Sequence, residues 1–280
     1  MALFLSVRSH DVGGPVVDPM VLQGDVGAPG KKLVDWPAVE AMVAGKNVLF
    51  GVHGFNVSRE HGMRSLGQLE SYLSLTASDL FFGVLWPGDF WLPVVNYPFE
   101  GADAIDSGRR IAAACRRSFA KAQSLSFVSH SLGARVVLEA VTHLDRPARV
   151  VCLTAAAINR DCLANEYANA AANAHAIAIL ASRKDLVLKL AFPVGDPIAD
   201  VLHEDHALFE PALGREGPPP PAPPPVVPPW QIPDSEGFDH GDYLPPSDHV
   251  QDPATASRQR WWRAAGFMGR AFHAQPQTWP

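Results

Sequence analysis

Six short, almost continuous apolar runs lie between the N-terminus and about residue 182, and they constrain the fold more than any other feature of this sequence. Strands of a parallel sheet have such runs, because helices cover both of their faces. Longer segments with helical periodicity separate the runs. The pattern predicts an α/β fold with a mostly parallel central sheet flanked by helices on both faces. We predict strands at residues 2–8, 47–52, 80–85, 124–129, 149–154 and 176–181.

Apolar residues at spacings of three and four predict helices between these strands. The clearest series is Met63, Leu66, Leu69 and Leu73, and a second runs from Ile105 to Phe119. Further helices are predicted from Leu132 to Leu144 and from about Ala254 to Phe272. With 47% hydrophobic residues in 280, the chain can form one large core, and we expect a single domain over residues 1–280.

A proline-rich segment interrupts the pattern at residues 217–229, where nine prolines occur. Proline cannot donate a backbone hydrogen bond, so this segment is excluded from a helix interior and from a central strand. We interpret it as an extended excursion on the surface that connects two core elements. Recognition by a proline-binding partner and a lid over a site are the alternatives.

Composition disfavours several classes of partner. The 29 acidic residues exceed the 23 lysines and arginines, and the net charge of −6 does not favour binding of nucleic acid or an anionic membrane. No apolar stretch approaches the length of a membrane span, so stable membrane insertion is not expected. The N-terminus lacks the basic start of a signal peptide, which makes a cytoplasmic location the default. The three cysteines have no disulfide or zinc spacing.

The segment Ser129-His130-Ser131-Leu132-Gly133 has the form small-x-Ser-x-Gly and joins a predicted strand to a predicted helix. In this context the pattern indicates a sharp turn that exposes a nucleophilic serine, because small flanking residues avoid collisions with the neighbouring strand and helix. Ser131 is therefore the candidate nucleophile. The alternative is that Ser131 only caps the following helix.

A serine nucleophile that attacks a carbonyl needs donors for the negative oxygen that develops. The amide of Leu132 follows the nucleophile at the positive end of a helix, and it is the first predicted donor. The second should come from the loop after an earlier strand, which is His53-Gly54-Phe55-Asn56. We predict the Phe55 amide as that donor. His53 is expected to brace the loop, and Asn56 is either a turn residue or a substrate contact.

The acid and the base should follow the nucleophile in the chain. Asp185 lies in the loop after the strand at 176–181, where a carboxylate could orient an imidazole. Its alternative role is to cap the next helix, and Asp161 is a competing acid. His240 and His249 both precede the last helix, and we favour His240 because Gly241 permits a tight loop.

A cluster of four possible metal ligands occurs at His203-Glu204-Asp205-His206, but its spacing matches no metal motif. We interpret it as a solvated polar loop. Neither a metal nor an organic cofactor is expected. A dinucleotide-binding fold is disfavoured, because the first strand is not followed by Gly-x-Gly-x-x-Gly. Oligomeric state leaves no signal in this sequence.

Six motifs occur in a characteristic order along the chain: His53 to Asn56, Leu85-Trp86-Pro87, Ser129 to Ala134, Ser182 to Leu188, Ala212 to Gly214 and His240 to Tyr243. Together they resemble a family of bacterial α/β-hydrolase-like proteins of unknown function, itself similar to lipases and esterases. The resemblance implies the α/β-hydrolase fold and a triad of Ser131, Asp185 and His240. The proline-rich segment is a departure from the family, and it lies where the strand before the histidine should begin.

These observations predict an enzyme, a serine hydrolase of the carboxylesterase or lipase type, that forms an acyl-enzyme on Ser131. Its partner would be a small-molecule ester, although amides and thioesters could use the same groups. The alternative is a non-catalytic protein of the same fold that binds another protein through the proline-rich segment.

Overall fold

Strands alternate with helices along most of the chain. The computed structural model describes residues 2–24, 32–88, 97–190, 211–247, 259–275 and 279. The strands are β1 (Ala2–Arg8), β2 (Val16–Gly24), β3 (Lys32–Val34), β4 (Asn47–Val52), β5 (Asp79–Leu85), β6 (Ser124–His130), β7 (Val150–Thr154), β8 (Ile177–Leu180) and β9 (Val226–Val227). The helices are α1 (Trp36–Val43), α2 (Arg59–Tyr72), α3 (Tyr97–Ser118), α4 (Gly133–Thr142), α5 (Ala168–Ala172), α6 (Leu186–Leu190), α7 (Leu213–Glu216) and α8 (Arg260–Phe272). Two short 3-10 turns occupy Asp234–Glu236 and His240–Asp242.

The nine strands that lie in the described ranges form one sheet in the order β3-β2-β1-β5-β4-β6-β7-β8-β9. The seven strands β1-β5-β4-β6-β7-β8-β9 each pair in parallel with their neighbours in this series. Strand β2 is antiparallel to both β1 and β3. Parallel pairing brings the carboxyl ends of β4, β6, β7 and β8 to one edge of the sheet. The predicted α/β-hydrolase fold with a mostly parallel sheet is confirmed.

Helices cover both faces of the sheet, and side chains of alternating orientation along each strand supply both cores. In β4, Val48 and Phe50 belong to one apolar cluster and Leu49 belongs to the other. The first cluster includes residues of α1, α3 and α4, and the second includes residues of α2 and α8. Because each strand faces apolar side chains on both sides, its sequence is continuously apolar.

Strands β2 and β3 are not among the predicted strands. Most residues of β2 are only partly buried, so the strand lacks a continuous apolar run. It also contains Pro19, which lies close to a register shift opposite Ser6 and Arg8. In the described residues, strand β3 pairs with Val21 to Gln23 and does not reach Pro19. A proline is tolerated there because no hydrogen bond to β3 is needed.

The proline-rich segment is only in part a surface excursion, and the prediction for residues 217–229 needs this correction. Val226 and Val227 form strand β9 and pair in parallel with Ile177 and Ala178 of β8. These two residues are the valines between the prolines, and they lie at the edge of the sheet. The sequence excluded this segment from a central strand, and β9 is indeed an edge strand of the sheet.

The last helix, α8, begins at Arg260, whereas the sequence predicts a start near Ala254. Residues 254–258 lie outside the described residues. Trp261 and Phe267 are buried, and Trp262 is 41% exposed. Among the helices in the described ranges, none has the length and apolar character needed to cross a bilayer.

Gly214 of α7 lies too close to the neighbouring backbone to carry a side chain, so we expect its replacement to destabilise the fold. A Cβ atom at this position would lie 2.0 Å from the amide nitrogen of Ala156. Because the colliding atom belongs to the backbone after β7, relief requires movement of a core strand. We expect Gly214→Ala to lower the free energy of unfolding by about 2 kcal/mol or more, measured by urea denaturation.

Gly101→Ala is the matched control, because a Cβ atom at Gly101 of α3 would meet nothing within 4 Å. Alanine is favoured over glycine in a helix, so this variant should be as stable as the parent or more stable by about 0.5–1 kcal/mol. Equal stability of the Gly214→Ala variant and its parent would contradict the predicted clash.

Candidate active site

Ser131 lies in the turn between β6 and α4, and its backbone has a φ of 55°. This left-handed conformation is unusual for a residue with a side chain, and it directs the hydroxyl away from the strand. The turn is possible because its neighbours are small. A Cβ atom on Gly133 would lie 2.4 Å from the His53 carbonyl, and one on Gly54 would lie 2.9 Å from Ser131 Cβ.

Three predicted residues, far apart in the sequence, meet at this turn. The Ser131 hydroxyl lies 2.9 Å from His240 Nε2, and His240 Nδ1 lies 2.8 Å from Asp185 Oδ2. Since a carboxylate only accepts hydrogen bonds, Nδ1 carries the proton of the neutral ring, and Nε2 is left to accept the proton of the Ser131 hydroxyl. The side chain of His240 is 17% exposed, and that of Asp185 is completely buried.

Asp185 uses its two carboxylate oxygens for two tasks. Oδ2 accepts the hydrogen bond from His240, and Oδ1 accepts a hydrogen bond of 2.8 Å from the amide of Leu188 in α6. The helix-capping role and the contact with histidine were alternatives at the sequence level, and the structure contains both contacts. The cap holds the carboxylate in the orientation that faces His240.

The two amides predicted as oxyanion donors lie on loops that leave adjacent parallel strands. Val52 at the end of β4 is in register with Ser129 of β6. Leu132 occupies the N-cap position of α4, and Phe55 follows the glycine that contacts Ser131. Within the described residues, neither the Phe55 nor the Leu132 amide donates to a protein acceptor.

His53 braces the loop that contains Phe55, as predicted. Its Nδ1–H donates to the Gly54 carbonyl at 2.8 Å, and its carbonyl accepts the indole N–H of Trp86 at 2.9 Å. Burial lowers the pKa of His53 to about 3, with a smaller contribution from the positive charge of Arg8. Asn56 has a φ of 59°, is exposed, and donates its amide to the Gly88 carbonyl. It is a turn residue.

His130 and Arg8 contribute to this region, and the sequence reasoning missed both. His130 donates from Nε2 to the His240 carbonyl at 2.8 Å. Arg8 is fully buried and donates to the carbonyls of His10, Asp11 and Val57. Arg8 could have been noticed because it is a charged residue at the end of an apolar predicted strand. His130 gave no such signal, because it occupies a position of the small-x-Ser-x-Gly pattern where any residue is allowed.

The remaining candidates do not join the site in the described residues. Asp161 accepts a hydrogen bond of 2.7 Å from Asn165 four residues later, so this carboxylate belongs to a local turn. His249 and the segment His203-Glu204-Asp205-His206 lie outside the described residues. In the ranges that the structure describes, no cluster of three or more metal-ligating side chains is found.

A buried carboxylate, an imidazole and a serine hydroxyl in a hydrogen-bonded series can transfer a proton from the hydroxyl to the ring. Fold and site together define the class of α/β hydrolases. A family model described as "Alpha/beta hydrolase of unknown function (DUF900)" matches residues 39–199, more than half of the chain. The chain belongs to this family, and the resemblance noted in its sequence is confirmed.

Two solved structures are similar to the chain at low identity. An inhibited esterase B from Lactobacillus rhamnosis is 11% identical, with 97% of this chain and 87% of that chain covered and a TM-score of 0.44. Phospholipase PlaB from Legionella pneumophila is 16% identical, with 43% of this chain covered and a TM-score of 0.27. The match spans 27% of the length of that phospholipase. No curated protein sequence matches the chain significantly.

The buried His53 predicts a dependence of stability on pH. Its pKa is about 3 in the folded protein against an ordinary value of 6.5, so the unfolded chain binds more protons between these values. The free energy of unfolding should therefore fall as the pH falls below 6.5. From pH 7 to pH 5 we expect a loss of about 2 kcal/mol from this residue.

Urea denaturation of the parent and of His53→Gln at both pH values measures this contribution. The variant should show a pH dependence smaller by about 2 kcal/mol than that of the parent. His175→Gln is the matched control, because it removes one histidine from an exposed position instead of a buried one. An identical pH dependence in the parent and His53→Gln would show that His53 is not held neutral by burial.

Proposed function

We propose that this chain is a serine hydrolase that cleaves carboxylic esters through an acyl-enzyme on Ser131. The observation that carries the proposal is the unbroken series of hydrogen bonds from Ser131 through His240 to the fully buried Asp185. A helix cap alone would not require a histidine at the hydroxyl or a carboxylate behind the histidine. The positive φ of Ser131 gives independent support.

In the proposed reaction, His240 Nε2 accepts the proton of the Ser131 hydroxyl while Oγ bonds to the ester carbonyl carbon. The carbonyl π electrons move to the oxygen, which accepts hydrogen bonds from the Phe55 and Leu132 amides. When the tetrahedral species collapses, the bond to the alkoxide breaks and His240 returns the proton to it. Asp185 stabilises the positively charged ring between these transfers.

Water completes the cycle by the same route. His240 takes a proton from water, the hydroxide attacks the acyl carbon, and the Ser131 oxygen leaves and recovers its proton. The chemistry therefore consumes one water and releases an alcohol and an acid. Each well-placed amide donor lowers such a barrier by about 3 kcal/mol, so the proposed reaction uses two donors for the one oxygen.

A fluorophosphonate probe tests the nucleophile directly. We expect the native protein to be labelled and Ser131→Ala to remain unlabelled while circular dichroism shows the same fold. Ser78→Ala is the matched control, because Ser78 is exposed on a turn before β5 and should not affect labelling. Absence of labelling in folded parent protein would refute the proposal and favour the non-catalytic interaction protein.

The choice of the acid has a separate test with nitrophenyl esters of increasing acyl length. Asp185→Asn should lower kcat by about 10³- to 10⁴-fold, because the amide no longer stabilises the correct protonation state of His240. Asp161→Asn is the control and should retain the parental kcat. The reverse result, with a loss only in Asp161→Asn, would show that the acid is assigned incorrectly.

A further inference from the structure

His130 lies where the nucleophile turn, the His240 turn and the loop after β4 meet. It is the last residue of β6 and directly precedes Ser131. Its ring centroid is 4.8 Å from that of His240, with 48° between the ring planes. On the other side, a Cβ atom placed on Gly54 would lie 3.0 Å from His130 Nδ1. One ring therefore contacts the structures that carry the nucleophile, the base and an oxyanion donor.

The turn that carries His240 needs such support, because it is a short 3-10 turn and not part of the sheet. Asp239 and Asp242 hold the amide side of this turn, since the His240 amide donates to Asp239 Oδ1 and the Asp239 amide donates to Asp242 Oδ2. The carbonyl of His240 points the other way. It accepts the 2.8 Å hydrogen bond from His130 Nε2.

A neutral histidine suits this position chemically. Donation from Nε2 to a carbonyl leaves Nδ1 unprotonated in the neutral ring, and the close approach of Gly54 limits space at that nitrogen. Removal from water and the neighbouring His240 lower the pKa of His130. The ring thus stays uncharged beside an imidazole that becomes a cation during the reaction, and it adds no repulsion to that step.

On the basis of the function proposed above, we propose that His130 is a positioning residue, which holds the His240 imidazole at Ser131 through the hydrogen bond to the His240 carbonyl. His130 is not the base, because its Nε2 is bonded to a carbonyl and not to the serine. Its contribution is geometric. A displacement of about 1 Å of a reacting group can reduce a rate by about 10²-fold, so the anchoring of one carbonyl matters.

Two substitutions separate the hydrogen bond from the ring. His130→Phe keeps an aromatic ring and removes the donor, and His130→Gln removes the ring and can place an N–H near the position of Nε2. We expect His130→Phe to lower kcat for nitrophenyl esters by about 10- to 100-fold with KM changed less than about two-fold. His130→Gln should recover most of kcat. His143→Phe, at an exposed position of the chain, is the control for an added phenyl group.

A spectroscopic measurement distinguishes positioning from general stability. The His240 Nδ1 proton, shared with Asp185, should give a downfield proton resonance in the parent and in His130→Gln. In His130→Phe this resonance should shift or broaden while the thermal midpoint still shows a folded protein. Parental kcat and an unchanged resonance in His130→Phe would overturn the proposal, as would equal losses of kcat in both variants.

Failure of the proposed function has a different signature. In that case the parent would neither hydrolyse esters nor react with a fluorophosphonate. The downfield resonance would still decide whether His130 positions His240, because it requires no turnover. A resonance that is the same in the parent and both variants would then refute the positioning role independently of activity.

Discussion

The left-handed backbone of Ser131 is the constraint on which the rest of the site depends. A non-glycine residue in this conformation costs of order 1–3 kcal/mol, and surrounding contacts must offset that cost. The Ser131 amide donates to the Thr154 carbonyl at 3.0 Å, and the Ser131 carbonyl accepts from the amides of Ala134 and Ala157. These bonds attach the turn to α4 and to the end of β7. The sheet thereby holds the Ser131 hydroxyl within hydrogen-bond distance of His240.

Six strands could be predicted from the sequence because their physical environment is uniform. A strand in the middle of a parallel sheet contacts apolar side chains on both faces, so nearly all of its residues are apolar. The edge strands have no such signature. Strand β3 has three residues and includes Lys32, and β9 consists of two valines between prolines. These segments are strands because the neighbouring strand, β2 or β8, has backbone groups available for hydrogen bonds. A local sequence pattern cannot predict such a tertiary contact.

The position of the serine was predictable for a similar reason, since the turn restricts several consecutive residues at once. Asp185 was the predicted acid, but Asp161 stayed a competitor because both residues follow predicted strands. Distance from the strand end decides the geometry. Asp185 comes five residues after the end of β8 and caps α6, whereas Asp161 lies seven residues beyond β7 and accepts a hydrogen bond from Asn165. Tertiary contacts that bring residue 240 back to the sheet determine the outcome.

Three histidines surround the Ser131 turn, and their surroundings separate their roles. His53 is fully enclosed and bonds to backbone groups of its own loop and of Trp86. His130 bonds to a backbone carbonyl, and its pKa is lowered like that of His53. Only His240, within the described residues, lies between a carboxylate and a hydroxyl. A lowered pKa makes an imidazole a weaker proton acceptor, and the rings of His53 and His130 are bonded to backbone groups, so His240 is left as the base of the proposed reaction. The same fold therefore uses histidine twice as a neutral structural group and once as the group suited to proton transfer.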